Sequence, residues 1–182
     1  MKSQKKNFHT VKVFDNLFTE EMGFALIRAF EDTKHGHEFI DNNHKPCFTQ
    51  LNMNQYHPEL VKVLVNWTRV AYDNYVNLTQ NKFIPDFHSL EEFRIKRYRV
   101  GREERFDEHV DVTDYSSARR ALAFLFYLNE NDGDTYFPRH HINIHPKAGS
   151  VLVFPPTWEY PHVGSPPTVQ KKYIMSTYLH YG

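Results

Sequence analysis

The apolar positions change period partway along the chain, and that change predicts its layout. Between Asp15 and Asp32, Met22, Ala25, Leu26, Ala29 and Phe30 recur at helical spacing. Thr19 stands where a capping hydroxyl is wanted, and Glu20 and Glu21 fall in the first turn, where the helix dipole favours carboxylates. Pro58 opens a second helix, whose face is Val61, Leu64, Val65, Thr68, Tyr72 and Tyr75. Residues 33–57 between them are polar, hold four histidines and show no clear period.

From about residue 93 the pattern becomes one of short runs rich in Val, Ile, Phe, Tyr and Leu. Phe93 to Val100, Ala121 to Asn129, Ser150 to Phe154 and Lys171 to Leu179 read as strands. Turn residues separate them at Asn131-Asp132-Gly133-Asp134, at Pro146 to Gly149 and at Gly164 to Pro167. Two helices followed by a string of short strands predict a mainly β fold, a double-sheet barrel with the helices packed on one sheet. No linker or repeat interrupts the chain, so residues 1–182 are expected to form one domain, a helical support over 1–92 and a barrel core over 93–182.

Composition narrows the class. Aromatic residues make up 15% of 182, which favours a packed, sheet-rich fold over disorder. The formal net charge is zero, so nothing global points to nucleic acid or to a membrane surface. No stretch approaches the roughly 20 apolar residues of a membrane span. The basic start Met1 to Phe8 leads into no apolar run, so no signal peptide is expected. The single cysteine, Cys47, excludes an intrachain disulfide and a thiolate zinc cluster, and fits a reduced, cytoplasmic setting.

The candidate chemistry lies in His109-Val110-Asp111, with His162 further on and Lys172 ten residues after it. Two imidazoles and one carboxylate on one face of a metal leave its other positions open, as in non-haem Fe(II) oxygenases; the same set accepts Zn, Mn or Co. On a strand, residues i and i+2 share a face, so His109 and Asp111 can reach one ion. The pair alone is weak, since chance supplies about one and a half His-x-acid matches in such a chain. A second match, His57-Pro58-Glu59, straddles a predicted helix start. His140, His141 and His145 compete as a third ligand but cluster at a Pro-Arg turn and are expected to face water. Lys171 and Lys172 open the last predicted strand on opposite faces, so one of them points inward. A buried ammonium needs a partner, and a bound dicarboxylate would be one. Tyr98 and Tyr127 are candidate hydroxyl donors to it.

Tyr98-x-x-Gly101, His109-x-Asp111, Tyr127-Leu128-Asn129, Asp132 to Pro138, Gly149 to Phe154, His162 and Lys172 together resemble the Fe(II)/2-oxoglutarate dioxygenases, and within them the prolyl 4-hydroxylase group. The resemblance covers about residues 93 to 180. It implies a double-stranded β-helix, or jelly-roll, with helices on the major sheet. It also implies Fe(II) on His109, Asp111 and His162, and 2-oxoglutarate held by Lys172 and lined by Tyr98 and Tyr127. The same resemblance implies that O2 is consumed, that ascorbate serves as reductant, and that succinate and CO2 are released. Arg120 resembles an arginine at the substrate entrance, and Trp158 and Tyr160 are expected beside it. The implied substrate is a prolyl residue or similar C–H in a peptide or protein, with a small molecule as the other option.

This chain departs from the pattern in two places. Asp132-Gly133-Asp134 replaces the usual Gly-Gly, and Phe106 replaces the tyrosine three residues before the first ligand. The acid at 111, rather than a small residue, implies hydroxylation over halogenation. Basic residues crowd 94–105, and a solvated face is the expectation there, with a rim for an acidic partner as the alternative. Two rival classes stay open: a cupin-like metal enzyme that does not use 2-oxoglutarate, and a non-enzymatic jelly-roll binding module.

Overall fold

The computed structural model describes residues 10–43, 46–101 and 103–182; the basic start at 1–8 and Arg102 of the basic segment lie outside these. The helices follow from local rules. α1 (Glu20–Asp32) starts where Thr19 Oγ1 accepts a hydrogen bond from the Met22 amide at 3.3 Å, and buries Gly23, Leu26 and Phe30. Gly23 is required by close approach: a Cβ there would stand 2.4 Å from the Leu128 carbonyl oxygen. The four-residue α2 (Met53–Tyr56) is capped by Asn52, and α3 (Pro58–Thr79) carries proline in its first turn. α3 buries Leu64, Thr68, Ala71 and Tyr75, and it ends where Gln80 turns left-handed.

Two antiparallel sheets form the rest. The major sheet runs in the order β1 (Lys12–Phe14), β9 (Val151–Phe154), β6 (Arg120–Tyr127), β11 (Lys172–His180), β4 (Arg94–Tyr98), β3 (Cys47–Asn52) and β2 (Glu38–Asp41). The minor sheet runs β5 (Phe106–His109), β10 (His162–Gly164), β7 (Thr135–Phe137) and β8 (Ile142–Ile144). One core lies between the helices and the major sheet, built on Phe30, Leu64, Phe124, Phe126, Val153 and Met175. The other lies between the sheets, with Phe48, Tyr98, Tyr127, Phe137, Leu152 and Phe154. Each fully buried aliphatic or phenyl side chain contributes about 1.5–3 kcal/mol. Period-two alternation along β11 serves both: Tyr173, Met175 and Leu179 join the helix-side core, whereas Lys172, Ile174, Ser176 and Tyr178 look between the sheets.

Two expectations need correction. Residues 33–57 are not irregular: β2 and β3 pair there, and β3 in turn pairs with β4, so the support region contributes three strands to the barrel, β1 included. The inward sequence of β3 escapes a periodicity search because Cys47, Phe48, Thr49 and Leu51 are buried on both faces. The short strands β5, β7, β8 and β10 are likewise set by their partners rather than by their own composition. Among the described residues, no helix is long and apolar enough to cross a membrane.

Candidate metal centre

β5 and β10 pair so that His109 and His162 sit directly opposite one another, and this register builds the site. Asp111 lies just past the end of β5, not on it as a shared strand face would require. Hydrogen bonds fix it instead. Its amide donates to the Pro156 carbonyl at 3.2 Å, and its own carbonyl accepts from Arg120 Nη1 at 2.6 Å. Among the described residues, His109, Asp111 and His162 are the group whose ligand atoms all lie within 4.8 Å of one another. His109 Nε2 is 3.5 Å from Asp111 Oδ1, and His162 Nε2 is 3.7 Å from Oδ2.

The second nitrogen of each ring is already committed. His109 Nδ1 lies 2.8 Å from the Asp107 carbonyl oxygen, and His162 Nδ1 lies 3.1 Å from that of Tyr160. A carbonyl only accepts, so both Nδ1 atoms carry the proton and both Nε2 lone pairs are left for a ligand. Phe106 stacks on the His109 ring at 3.3 Å between centroids, and Phe154 meets the His162 ring edge-on at 4.9 Å. Burial pulls His162 down to about 4, which keeps its imidazole neutral at pH 7. Burial opposes ionisation of Asp111, but His162, His109 and Lys96 overcome it and hold the carboxyl well below the usual range. Two neutral imidazoles and a carboxylate, orientated and stripped of competing donors, suit a divalent first-row cation.

A narrow cavity runs from these three side chains to Lys172, past Tyr98, Thr135 and Gly164. Lys172 is 1% exposed. Its ammonium donates to the Gly133 carbonyl at 2.5 Å and stands 5.2 Å over the Tyr98 ring. An ammonium has three N–H donors, and one is taken. Burial pulls Lys172 down to about 7, with Asp134 partly opposing the shift. A dicarboxylate that chelates the metal at one end would find a charge-assisted partner at the other. Lys171, on the opposite face, is exposed and pairs with Glu31 at 3.5 Å.

The remaining expected site residues divide. Tyr98 lines the cavity, and burial pushes its phenol far above the ordinary value. Tyr127 stands one layer back: its hydroxyl donates to Thr135 Oγ1 at 2.8 Å, and Thr135 is the residue that reaches the cavity. Arg120 borders the outer groove, but its guanidinium is spent on Glu91, at 2.7 and 2.9 Å, and on the Asp111 carbonyl. Tyr160 is not at the entrance. It is 9% exposed, its hydroxyl bonds Thr10 Oγ1 at 2.6 Å, and it serves the site through its backbone carbonyl. Trp158 is 68% exposed under the Arg139 guanidinium and lines no part of the cavity or its groove. His145 is tied to Asp134, and His140 to the Glu159 carbonyl, away from the cluster.

The basic stretch is no continuous rim. Arg94 pairs with Glu92, Arg97 with Glu31, Arg99 with Glu104 and Arg105 with Asp107. Lys96 differs, and so do Ser176 and Tyr178: all three line both the cavity and the groove outside it. Burial pulls Lys96 down to about 8. The sequence held a signal for Lys96, since it lies two residues before Tyr98 on the same strand face.

Residues 93–180 match the family model of the 2OG-Fe(II) oxygenase superfamily, a span that contains the whole cluster and Lys172. No curated protein matches the chain. Solved structures do. A viral collagen prolyl hydroxylase of Paramecium bursaria Chlorella virus-1, in its 2OG complex, is similar with a TM-score of 0.71 at 18% identity, over 95% of this chain and 97% of that one. A prolyl hydroxylase of Trichoplax adhaerens, bound to a hypoxia inducible factor peptide fragment, gives 0.74 at 13%, over 96% and 84%. A Pseudomonas putida prolyl-4-hydroxylase gives 0.73 at 16%, over 96% and 94%. These likenesses establish the jelly-roll fold, and the family match assigns residues 93–180 to the 2OG-Fe(II) oxygenase superfamily, the 2-oxoglutarate-dependent dioxygenases.

Proposed function

We propose that the protein hydroxylates a prolyl residue, or a similar C–H, of a peptide or protein that docks in the groove outside the cavity. His109 Nε2, Asp111 and His162 Nε2 hold Fe(II), and Lys172 and Tyr98 hold 2-oxoglutarate, with Thr135 backed by Tyr127. The reading rests above all on one juxtaposition: a buried ammonium with vacant donors shares a cavity with three converging ligand atoms. The prolyl substrate is drawn from the structural neighbours, whose likeness lies in the fold. Residues 1–182 act as one domain in the cytoplasm, with ascorbate as reductant, in keeping with a lone, buried Cys47.

Bound in this site, the iron supplies the oxidative decarboxylation of 2-oxoglutarate to succinate and CO2, coupled to hydroxylation of the substrate. The chain supplies position and charge. The Asp107 and Tyr160 carbonyls hold both imidazoles in the ligating tautomer, and Arg120 holds the backbone at Asp111. Lys172 neutralises the far carboxylate of the co-substrate. Phe106, Phe154, Leu125 and Ile174 line the cavity with apolar surface and keep bulk water from the reacting centre. No side chain need act as a general acid or base.

The test uses protein reconstituted with Fe(II) and supplied with 2-oxoglutarate, ascorbate and O2. Succinate should form, and proline-containing peptides should gain one oxygen by mass spectrometry. Asp111→Ala should lose both activities and bind Mn(II) far more weakly. Undiminished turnover by Asp111→Ala would defeat the assignment.

A further inference from the structure

The groove outside the cavity contains one ammonium that no carboxylate of the groove pairs with. Lys96 sits on β4 on the same face as Tyr98 and Arg94; Tyr98 points between the sheets, Arg94 reaches the outer groove, and Lys96 lines the cavity and the groove at their junction. The other cations of this groove are matched. Arg94 pairs with Glu92 at 2.6 Å, and Arg120 pairs with Glu91, which also accepts from His180 at 2.8 Å. Lys96 makes no hydrogen bond or ion pair among the described residues. Its ammonium rests 5.2 Å over the Phe48 ring. The carboxylate whose field it feels most is Asp111, and that group is committed to the candidate metal. A half-buried ammonium carries part of a desolvation cost that a partner would offset.

Resting on the hydroxylase reading above, we propose that Lys96 is a specificity-determining residue that anchors a substrate carboxylate next to the oxidised carbon. The structure favours an acidic side chain flanking the target residue of a peptide. The lysine is at the mouth of the cavity rather than in its depth, and the groove continues past it toward Gln50 and Pro46. The same chemistry could come from the free carboxylate of a small acid, such as proline itself. Phe48 and Tyr178 wall the position, so the pair forms in a half-closed setting, where a charge-assisted hydrogen bond retains much of its strength. This role differs from that of Lys172, which lies at the cavity's other end against Gly133.

The experiment compares alanine-rich decapeptides with a single proline flanked by Asp or by Asn, and free L-proline against prolinamide, in wild-type protein. Hydroxylation is read as kcat and KM separately. Binding is read by calorimetry on Mn(II)- and 2-oxoglutarate-loaded protein, which cannot turn over. The flanking-Asp peptide should be preferred by about tenfold or more, chiefly in KM and in the binding constant. Lys96→Met should bring the Asp/Asn ratio close to one, Lys96→Arg should keep it above one, and Lys96→Glu should invert it in favour of a Lys-flanked peptide. Preference for free proline over prolinamide, with no Asp/Asn discrimination, would move the carboxylate to a small substrate and overturn the peptide assignment. If wild type shows neither preference while still converting 2-oxoglutarate to succinate, the role of Lys96 is refuted and the oxygenase reading survives. If no succinate forms, the underlying reading itself has failed.

Discussion

Lys172 gives the most quantitative prediction, because its ammonium must be charged to hold a carboxylate and yet titrates close to neutrality. With its ordinary value of 10.5 brought down to about 7 by burial, about half of the ligand-free molecules carry the charge at pH 7. The charged fraction is roughly one in eleven at pH 8 and about one in a hundred at pH 9. A bound carboxylate restores the proton, and apparent affinity scales with the fraction already competent. Affinity for 2-oxoglutarate should therefore fall about fivefold from pH 7 to 8 and a further tenfold or so to pH 9, and level off below pH 6. Calorimetry with Mn(II) in place of iron, in two buffers of different ionisation enthalpy, should find about 0.9 proton taken up per 2-oxoglutarate at pH 8. Lys172→Met should bind about ten- to a hundredfold more weakly at pH 6 and show no slope. Stability runs the other way. The folded state holds this proton less tightly than the unfolded chain, so the cost of burial is full below pH 7 and shrinks as pH rises from 7 toward 10.5. Without 2-oxoglutarate, Lys172→Met should be the more stable protein at pH 6, by on the order of 2–4 kcal/mol, with the gap narrowing by pH 9. A wild-type affinity that stays flat from pH 7 to 9, or an identical slope in Lys172→Met, would refute the reasoning.

Two further substitutions separate roles that lie close together. Arg120→Gln removes one of the two partners of half-buried Glu91, leaving His180, and the donor to the Asp111 carbonyl; it should cost about 1–3 kcal/mol in thermal unfolding and weaken Mn(II) binding ten- to a hundredfold. If both stay unchanged and only peptide binding suffers, Arg120 is a substrate contact and not a positioning residue. Tyr127→Phe should cost about 1 kcal/mol of stability and leave 2-oxoglutarate affinity within roughly threefold, whereas Thr135→Val should lower that affinity more. The opposite order, measured by titration calorimetry, would put the phenol rather than the threonine against the co-substrate.

Particular elements show what could be read in advance. α1 and α3 were legible because a helix buries one stripe and writes it into the sequence, as Leu26 and Phe30 or Leu64, Thr68 and Tyr75 do. β6, β9 and β11 were legible as mostly apolar and aromatic runs, the mark of strands covered on both sides, and β4 by Ile95 and Tyr98 set among basic residues. β3 and the short strands β1, β2, β5, β7, β8 and β10 were not, since their stability lies in pairing with other strands. The convergence of His109, Asp111 and His162 was legible in spacing and residue type, although the strand stops at His109 and a pair of backbone hydrogen bonds carries Asp111 the rest of the way. Tyr160 was misplaced because neighbours of a ligand can turn either way, and its hydroxyl found Thr10. Lys96 was submerged among basic neighbours. What distinguishes it is the lack of a partner, a property of the folded groove that the order of residues does not display.

The nine residues of β11 run through the middle of the major sheet and look both ways. An insertion or deletion of a single residue upstream of Ile174 would carry Lys172 out of register with Tyr98, or push Tyr173 and Met175 out of the helical layer, and no local adjustment restores both. Chemistry and architecture are thus written on alternate letters of one phrase. Variation in this protein's relatives should accordingly concentrate in loops and strand edges, where a change to one message leaves the other readable.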